Sequence, residues 1–182
     1  MRIIGGSSGG RRMLGPPRTG LRPTSARVRE SMFAMLEAAG ADFDSVLDLY
    51  SGTGALGIEA LSRGDGRCDF VESDPKTAEV IRQNLTRTVL LDRARVFALQ
   101  VSKALPRLKG PYTLVVADPP YEYDRAESEL TGVIERGLLA EDGFVVVEHS
   151  KRHEWPETLA GLERIETRKY GDTRVTMYRP SN

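Results

Sequence analysis

The chain is poor in metal-binding and thiol chemistry. It has one cysteine, Cys68, two histidines, His149 and His153, and one tryptophan, Trp155. A single thiol closes no intramolecular disulfide and builds no multi-thiolate metal site. The two histidines have no acid or thiol at ligand spacing, so no metal is expected. No apolar run approaches the roughly 20 residues that a membrane-crossing helix needs. The first thirty residues lack the apolar stretch of a secretory leader. The expectation is a cytoplasmic, metal-free monomer. With 182 residues it has the length of one domain.

Charge is present but unevenly placed. Lysine is scarce, and the 26 basic residues balance 26 acidic ones. Residues 1–29 carry seven arginines (Arg2, Arg11, Arg12, Arg18, Arg22, Arg27 and Arg29) and no acid, which leaves 19 basic against 26 acidic residues in the remainder. The head also holds six of the 18 glycines together with Pro16, Pro17 and Pro23. Its main apolar residues are Ile3, Ile4, Met13 and Leu14. A basic, glycine-rich arm suits a phosphate backbone, because each neutralised phosphate releases counterions. Residues 1–24 are therefore read as an arm that contacts nucleic acid or else as a solvated tail, with a loose hairpin around Gly5–Gly10, and residues 25–182 as the main domain. Deleting residues 1–20 is expected to weaken nucleic-acid binding and to spare any ligand site in the main domain.

Beyond the arm the pattern alternates. A helix is predicted over Ala26–Ala39, where Val28, Met32, Met35, Leu36 and Ala39 share one face. Strands are predicted at Ser45–Leu49, Cys68–Glu72, Ala94–Leu99, Thr113–Ala117 and Gly143–Glu148. Helices are predicted between them at Ala55–Ser62, Pro75–Thr86, Lys103–Leu108 and Arg125–Arg136. Leu162–Lys169 and Arg174–Arg179 read as a hairpin joined through Tyr170-Gly171-Asp172-Thr173. Repeated βα units give a single α/β, doubly wound, Rossmann-like domain, mostly parallel, with an antiparallel C-terminal edge.

Two segments carry chemistry. The first is Asp48-Leu49-Tyr50-Ser51-Gly52-Thr53-Gly54-Ala55-Leu56-Gly57, a glycine turn between a strand and a helix. About 20 residues further on, the next strand ends at Glu72, where a carboxylate can accept ribose hydroxyls. Together they indicate a nucleoside-containing cofactor, NAD or S-adenosylmethionine. An acid at Asp48 repels a pyrophosphate and suits an ammonium, which favours S-adenosyl-L-methionine. The second segment is Asp118-Pro119-Pro120-Tyr121, at the end of the strand predicted to flank the first. A carboxylate at Asp118 and the Pro119 carbonyl can accept both hydrogens of an exocyclic base amine. Pro119 and Pro120 stiffen the loop and add no competing N–H. Tyr121 offers a face for an unstacked base.

These residues resemble a known family. The succession SGTGALG, VESD and DPPY is similar to that of class I S-adenosylmethionine-dependent amino-methyltransferases. The head, above all Arg22-Pro23-Thr24-x-x-Arg27-x-Arg29-Glu30-x-x-Phe33, resembles the bacterial 16S rRNA guanine-N2 methyltransferases of the RsmD type, and the likeness covers essentially the whole chain. The resemblance implies a seven-stranded sheet of order 3-2-1-4-5-7-6 and methylation of a guanine N2 in 16S rRNA within an assembling small-subunit particle. By position it implies that Asp48, Tyr50, Ser51, Gly52, Gly54, Glu72, Ser73, Asp74, Gln100 and Val101 bind the cofactor. Asp118, Pro119, Pro120 and Tyr121 would be catalytic, and Arg2, Arg11, Arg12, Arg18, Arg22, Thr24, Arg27 and Arg29 would meet RNA. Where many such enzymes carry an acid after the third strand, this chain has Gln100-Val101-Ser102. Adenine-N6 methylation of DNA or RNA shares every catalytic residue and stays open. An NAD-dependent oxidoreductase and a non-catalytic rRNA-binding factor are the more distant alternatives. Cys68 and Trp155 are read as packing residues, His149 as a surface or cap residue, and Asn84 as a surface or helix-end residue. Tyr123 is read either as shaping the base pocket with Tyr121 or as an exposed loop residue.

Overall fold

The computed structural model describes residues 1–17 and 25–181. Among these, helices α1 (Ala26–Ala38), α2 (Ala55–Arg63), α3 (Pro75–Thr88), α4 (Val101–Ala104) and α5 (Ala126–Glu135) alternate with strands. The strands are β1 (Ser45–Leu49), β2 (Arg67–Val71), β3 (Ala94–Phe97), β4 (Tyr112–Ala117), β5 (Leu139–Ser150), β6 (Thr158–Leu159), β7 (Leu162–Tyr170) and β8 (Thr173–Pro180). They form one sheet of order β3-β2-β1-β4-β5-β8-β7-β6. The order implied by resemblance needs one correction: the two-residue β6 adds an eighth strand by pairing antiparallel with β7. The element that opens at Val101 is also shorter than predicted. It passes into a 3-10 turn at Leu105–Arg107, where Pro106 has no N–H to continue an α-helix.

Alternation along the strands sorts the core onto two faces. Val46, Cys68, Phe70, Leu114, Val116, Val146 and Met177 pack with Phe33, Leu36, Ile58, Leu61 and Ile81 of α1, α2 and α3. Leu47, Leu49, Val71, Val115, Val145 and Tyr178 pack with Val101, Leu130 and Val133 of α4 and α5, and with Trp155. Cys68 is fully buried, as read. Strand order turns back between β1 and β4, and the crevice beyond the carboxyl ends of these strands is where α/β sheets bind ligands.

The basic head shares this core. Ile3 and Met13 are buried in the α1–α3 cluster. The head folds back through an antiparallel bridge between Arg2 and Arg12. Its backbone is held by Glu59 of α2, a fully buried carboxylate that accepts from Ile4 N at 2.9 Å and Gly5 N at 2.8 Å. Arg29 does not face RNA. It is fully buried, its Nε lies 3.5 Å from Glu59 Oε2, and its Nη2 donates to the Arg2 carbonyl at 2.5 Å. A charge buried that deep needs a counter-charge, and Glu59 supplies it. Arg2, Arg11, Arg12 and Arg27 are exposed. Arg18, Arg22 and Thr24 lie outside the described residues.

Candidate functional site

The tips of β1 and β4 are in register, Leu49 opposite Ala117, and Asp118 N donates to the Leu49 carbonyl at 3.4 Å. The glycine turn and the Asp118 loop thus leave the sheet side by side. A cleft of about 760 Å³ opens between them. Asp48, Tyr50, Ser51, Gly52, Glu72, Ser73, Asp74, Gln100, Val101, Asp118, Pro119, Pro120 and Tyr121 line it. Of the predicted cofactor and catalytic residues, only Gly54 lies behind its wall. There it caps α2 with a left-handed backbone.

The glycine turn is held by its neighbours. Gly52 has φ +55°, and a side chain built there would meet nothing within 4 Å, so the turn faces open space. Gly57 is glycine for a different reason. An added Cβ would stand 2.4 Å from Phe70 Cε1, so its absence lets α2 lie against β2. Ser51 ties the tips of β1 and β2 together: its hydroxyl donates to the Asp48 carbonyl at 2.7 Å and accepts from Val71 N at 3.0 Å.

Asp48 points to the α2 side, buried, and its Oδ2 accepts from Gly57 N at 2.8 Å. Burial pushes its carboxyl up to about 7; the Gly57 N–H opposes that rise and the negative charge of Glu72 adds to it. Glu72 bridges two backbone segments, accepting from Gly52 N and from Asp74 N, both at 2.9 Å. Each of its oxygens keeps a second acceptor lone pair. Asp74 caps α3, accepting from Lys76 N at 3.3 Å and from the Thr77 hydroxyl at 2.8 Å, while Pro75 fills the first helical position. On the β4 side of the cleft Pro119 is buried, Asp118 is half-buried, and Tyr121 is 40% exposed. Tyr50 packs edge-on against Tyr123, and both phenols donate to Glu129. Burial and that carboxylate keep Tyr50 protonated.

Several lining residues escaped sequence reasoning. Glu148 is buried on β5, one residue beyond the Val147–Ala117 pair, and so lies level with Asp118. Acids thus stand at or beside the carboxyl ends of β1, β2, β4 and β5, a repetition visible in the sequence once strand ends are aligned. Pro16 brings the head into the cleft wall. Behind it sits Asn84, which is not a surface residue. It is fully buried, its Oδ1 accepts from Leu14 N at 2.7 Å, and its Nδ2 donates to the carbonyls of Leu14 at 3.2 Å and Thr53 at 3.0 Å. His149 is also buried, against Trp155. Its ring nitrogens lie 3.0 Å from the Ser150 carbonyl and 2.8 Å from the Thr176 hydroxyl, and burial lowers its pKa to about 4. Among the described residues no group of His, Cys, Asp and Glu could hold a metal, and no helix is long and apolar enough to cross a membrane.

Comparison with known proteins places this geometry in a family. The chain is 38% identical over 98% of its length, and 98% of the partner's, to YlbH of Bacillus subtilis, provisionally named an rRNA methyltransferase. It is 32% identical to ribosomal RNA small subunit methyltransferase D of Escherichia coli, over 98% of this chain and 89% of that one. The solved structure of yhhF from Escherichia coli, provisionally named a methyltransferase, superposes with a TM-score of 0.86 at 31% identity, covering 100% of this chain and 99% of that one. A family model described as conserved hypothetical protein 95 matches residues 1–179, and the chain belongs to that family.

Proposed function

We propose that this chain transfers a methyl group from S-adenosylmethionine to an exocyclic base amine of small-subunit rRNA, the N2 of one guanine, in an assembling particle in the cytoplasm. One observation carries the reading: the glycine turn with Asp48 and Glu72, and the Asp118 loop with Tyr121, open into the same cleft. The relatives named as rRNA methyltransferases support the choice of RNA.

The residues fit the cofactor. The buried Asp48 carboxylate suits an ammonium group, and the open face of Gly52 admits a ligand close to the backbone. Glu72, anchored by two N–H donors, is fixed as an acceptor for ribose hydroxyls. When bound, S-adenosylmethionine supplies an electrophilic methyl on a sulfonium. The chain's own part is to aim the acceptor. The Asp118 carboxylate and the Pro119 carbonyl accept the two amine hydrogens, which turns the nitrogen lone pair out of conjugation with the ring. Tyr121 presents a ring face to a base lifted from its stack. Catalysis of this kind is positioning plus electrostatics. The exposed Arg2, Arg11, Arg12 and Arg27 offer phosphate contacts outside the cleft.

The test is nucleoside mass spectrometry. Small-subunit particles from a strain lacking the protein are incubated with enzyme and S-adenosylmethionine. N2-methylguanosine in the rRNA is the expected product. Methyladenosine alone would reject the base assignment, and an unmodified rRNA would reject the reading. Asp118→Ala should abolish turnover while S-adenosylhomocysteine still binds, by calorimetry, within about twofold of wild type.

A further inference from the structure

The Tyr170-Gly171-Asp172-Thr173 turn, read above only as a hairpin connection, reaches the catalytic loop. Tyr121 Oη and Thr173 Oγ1 lie 2.6 Å apart, joining residues 52 positions distant in sequence. Thr173 is 4% exposed, whereas Tyr121 is 40% exposed and lines the cleft. The hydroxyl holding the tyrosine is therefore part of the framework, while the ring it holds is open to a ligand.

The turn is itself held on three sides. Thr173 pairs with Ser150 on β5 and with Tyr170 on β7. Lys151 N donates to the Asp172 carbonyl at 2.8 Å. At the other end of the turn the Tyr170 hydroxyl bonds the Ser31 hydroxyl on α1. Thr173 does not line the cleft, so any influence on the reaction passes through Tyr121.

We infer that Thr173 is a positioning residue that sets the orientation of the Tyr121 ring for the target base. The inference rests on the role given to Tyr121 above. A tyrosine on a loop has two side-chain torsions. Anchoring Oη fixes χ1, because rotation there would swing the tip away. It also biases χ2, because a phenolic O–H prefers the ring plane and the threonine oxygen defines where that plane points. Pro120 helps from behind: its carbonyl accepts from Tyr123 N at 2.9 Å and closes the turn that carries Tyr121. A ring pre-set in this way loses less freedom when a base stacks on it.

The experiment is a double-mutant cycle read as steady-state methylation of small-subunit particles. Thr173→Val removes the hydroxyl and keeps the shape. Tyr121→Phe removes the other partner from an exposed position without touching the core. Each should lower kcat/KM for the RNA about tenfold, with S-adenosylhomocysteine affinity unchanged within about twofold. The double variant should be no worse than either single one, and Thr173→Ser should restore wild-type rates. Losses that multiply in the double variant, or wild-type kcat/KM in Tyr121→Phe, would overturn the inference while leaving the methyltransferase reading intact. If Thr173→Val fails to fold, Tyr121→Phe and Thr173→Ser still decide the matter. A wild-type enzyme that methylates no RNA overturns both.

Discussion

Asn84 shows how one side chain can serve two parts of a site. Its amide accepts from the Leu14 N–H and donates to the carbonyls of Leu14 and Thr53, linking the head to the glycine turn. Asn84→Ala leaves the buried Thr53 carbonyl and two part-buried groups of Leu14 without this partner, so the unfolding free energy should fall by about 2 kcal/mol and cofactor affinity should weaken with it. A denaturant midpoint equal to wild type would reject this. Asp48 makes both stability and ligand affinity depend on pH. Its folded pKa of about 7 stands well above the ordinary carboxylate value. The unfolded chain releases that proton first as pH rises, so Asp48 lowers stability progressively between about pH 4 and pH 7. Asp48→Asn, whose amide oxygen can still accept from Gly57 N, should therefore raise the Tm of the ligand-free protein at pH 8, with a gain that shrinks as pH falls toward 4. Because an ammonium favours the ionised form, wild-type affinity for S-adenosylhomocysteine should drop about tenfold per unit below pH 7. Calorimetry from pH 8 to pH 5.5 measures it, and a flat profile would show that Asp48 does not hold the ammonium.

Among elements, the head was the hardest to read. Its sequence looks like a tail, because Ile3 and Met13 are two apolar residues among glycines and arginines. The structure seats both in the main cluster and pins the intervening backbone on Glu59 and Asn84. Removing residues 1–17 should therefore destabilise the protein by about 5 kcal/mol, from two buried side chains and the two N–H donors lost to Glu59, which keeps Arg29 and Arg63. Cofactor affinity should fall as well, since Pro16 lines the cleft. This differs from the expectation that deleting residues 1–20 weakens RNA binding but spares the cofactor site. A truncated chain with wild-type Tm would contradict it. Helices and strands, by contrast, were legible from periodicity alone. The apolar stripe of α1 and the short, almost continuously apolar runs of β1 and β4 showed which residues go inside. The glycine turn and the Asp118 loop were legible because their residue types are tied to local backbone geometry. Arg29, Asn84, His149 and Glu148 were not. A buried polar side chain has no local signature, because it is buried only by virtue of a partner far along the chain. Asn84 lies 70 residues from Leu14, and Arg29 lies 30 from Glu59. The short β6 was missed because two residues carry no period.

Over the whole molecule, charge divides between the outer surface of the head and the lining of the cleft. Exposed arginines stand on the head and at the start of α1, while Asp48, Glu72, Asp118 and Glu148 surround the cleft. Replacing Arg11 and Arg12 together with Ala should weaken binding to rRNA and lower the slope of log K against log salt by about one to two. A slope equal to wild type would show that these two arginines meet no phosphate. The acid-lined floor also predicts that NAD, which carries a pyrophosphate, does not compete with S-adenosylhomocysteine in calorimetry. The same arrangement acts as a filter on how a polynucleotide can approach. A sugar-phosphate strand threaded along the floor would run past four carboxylates. A lone nucleobase reaching down from above would not. The base can be served only if its ring is extended inward while its own phosphates stay clear of those carboxylates, so a guanine locked in a duplex should be invisible to this protein.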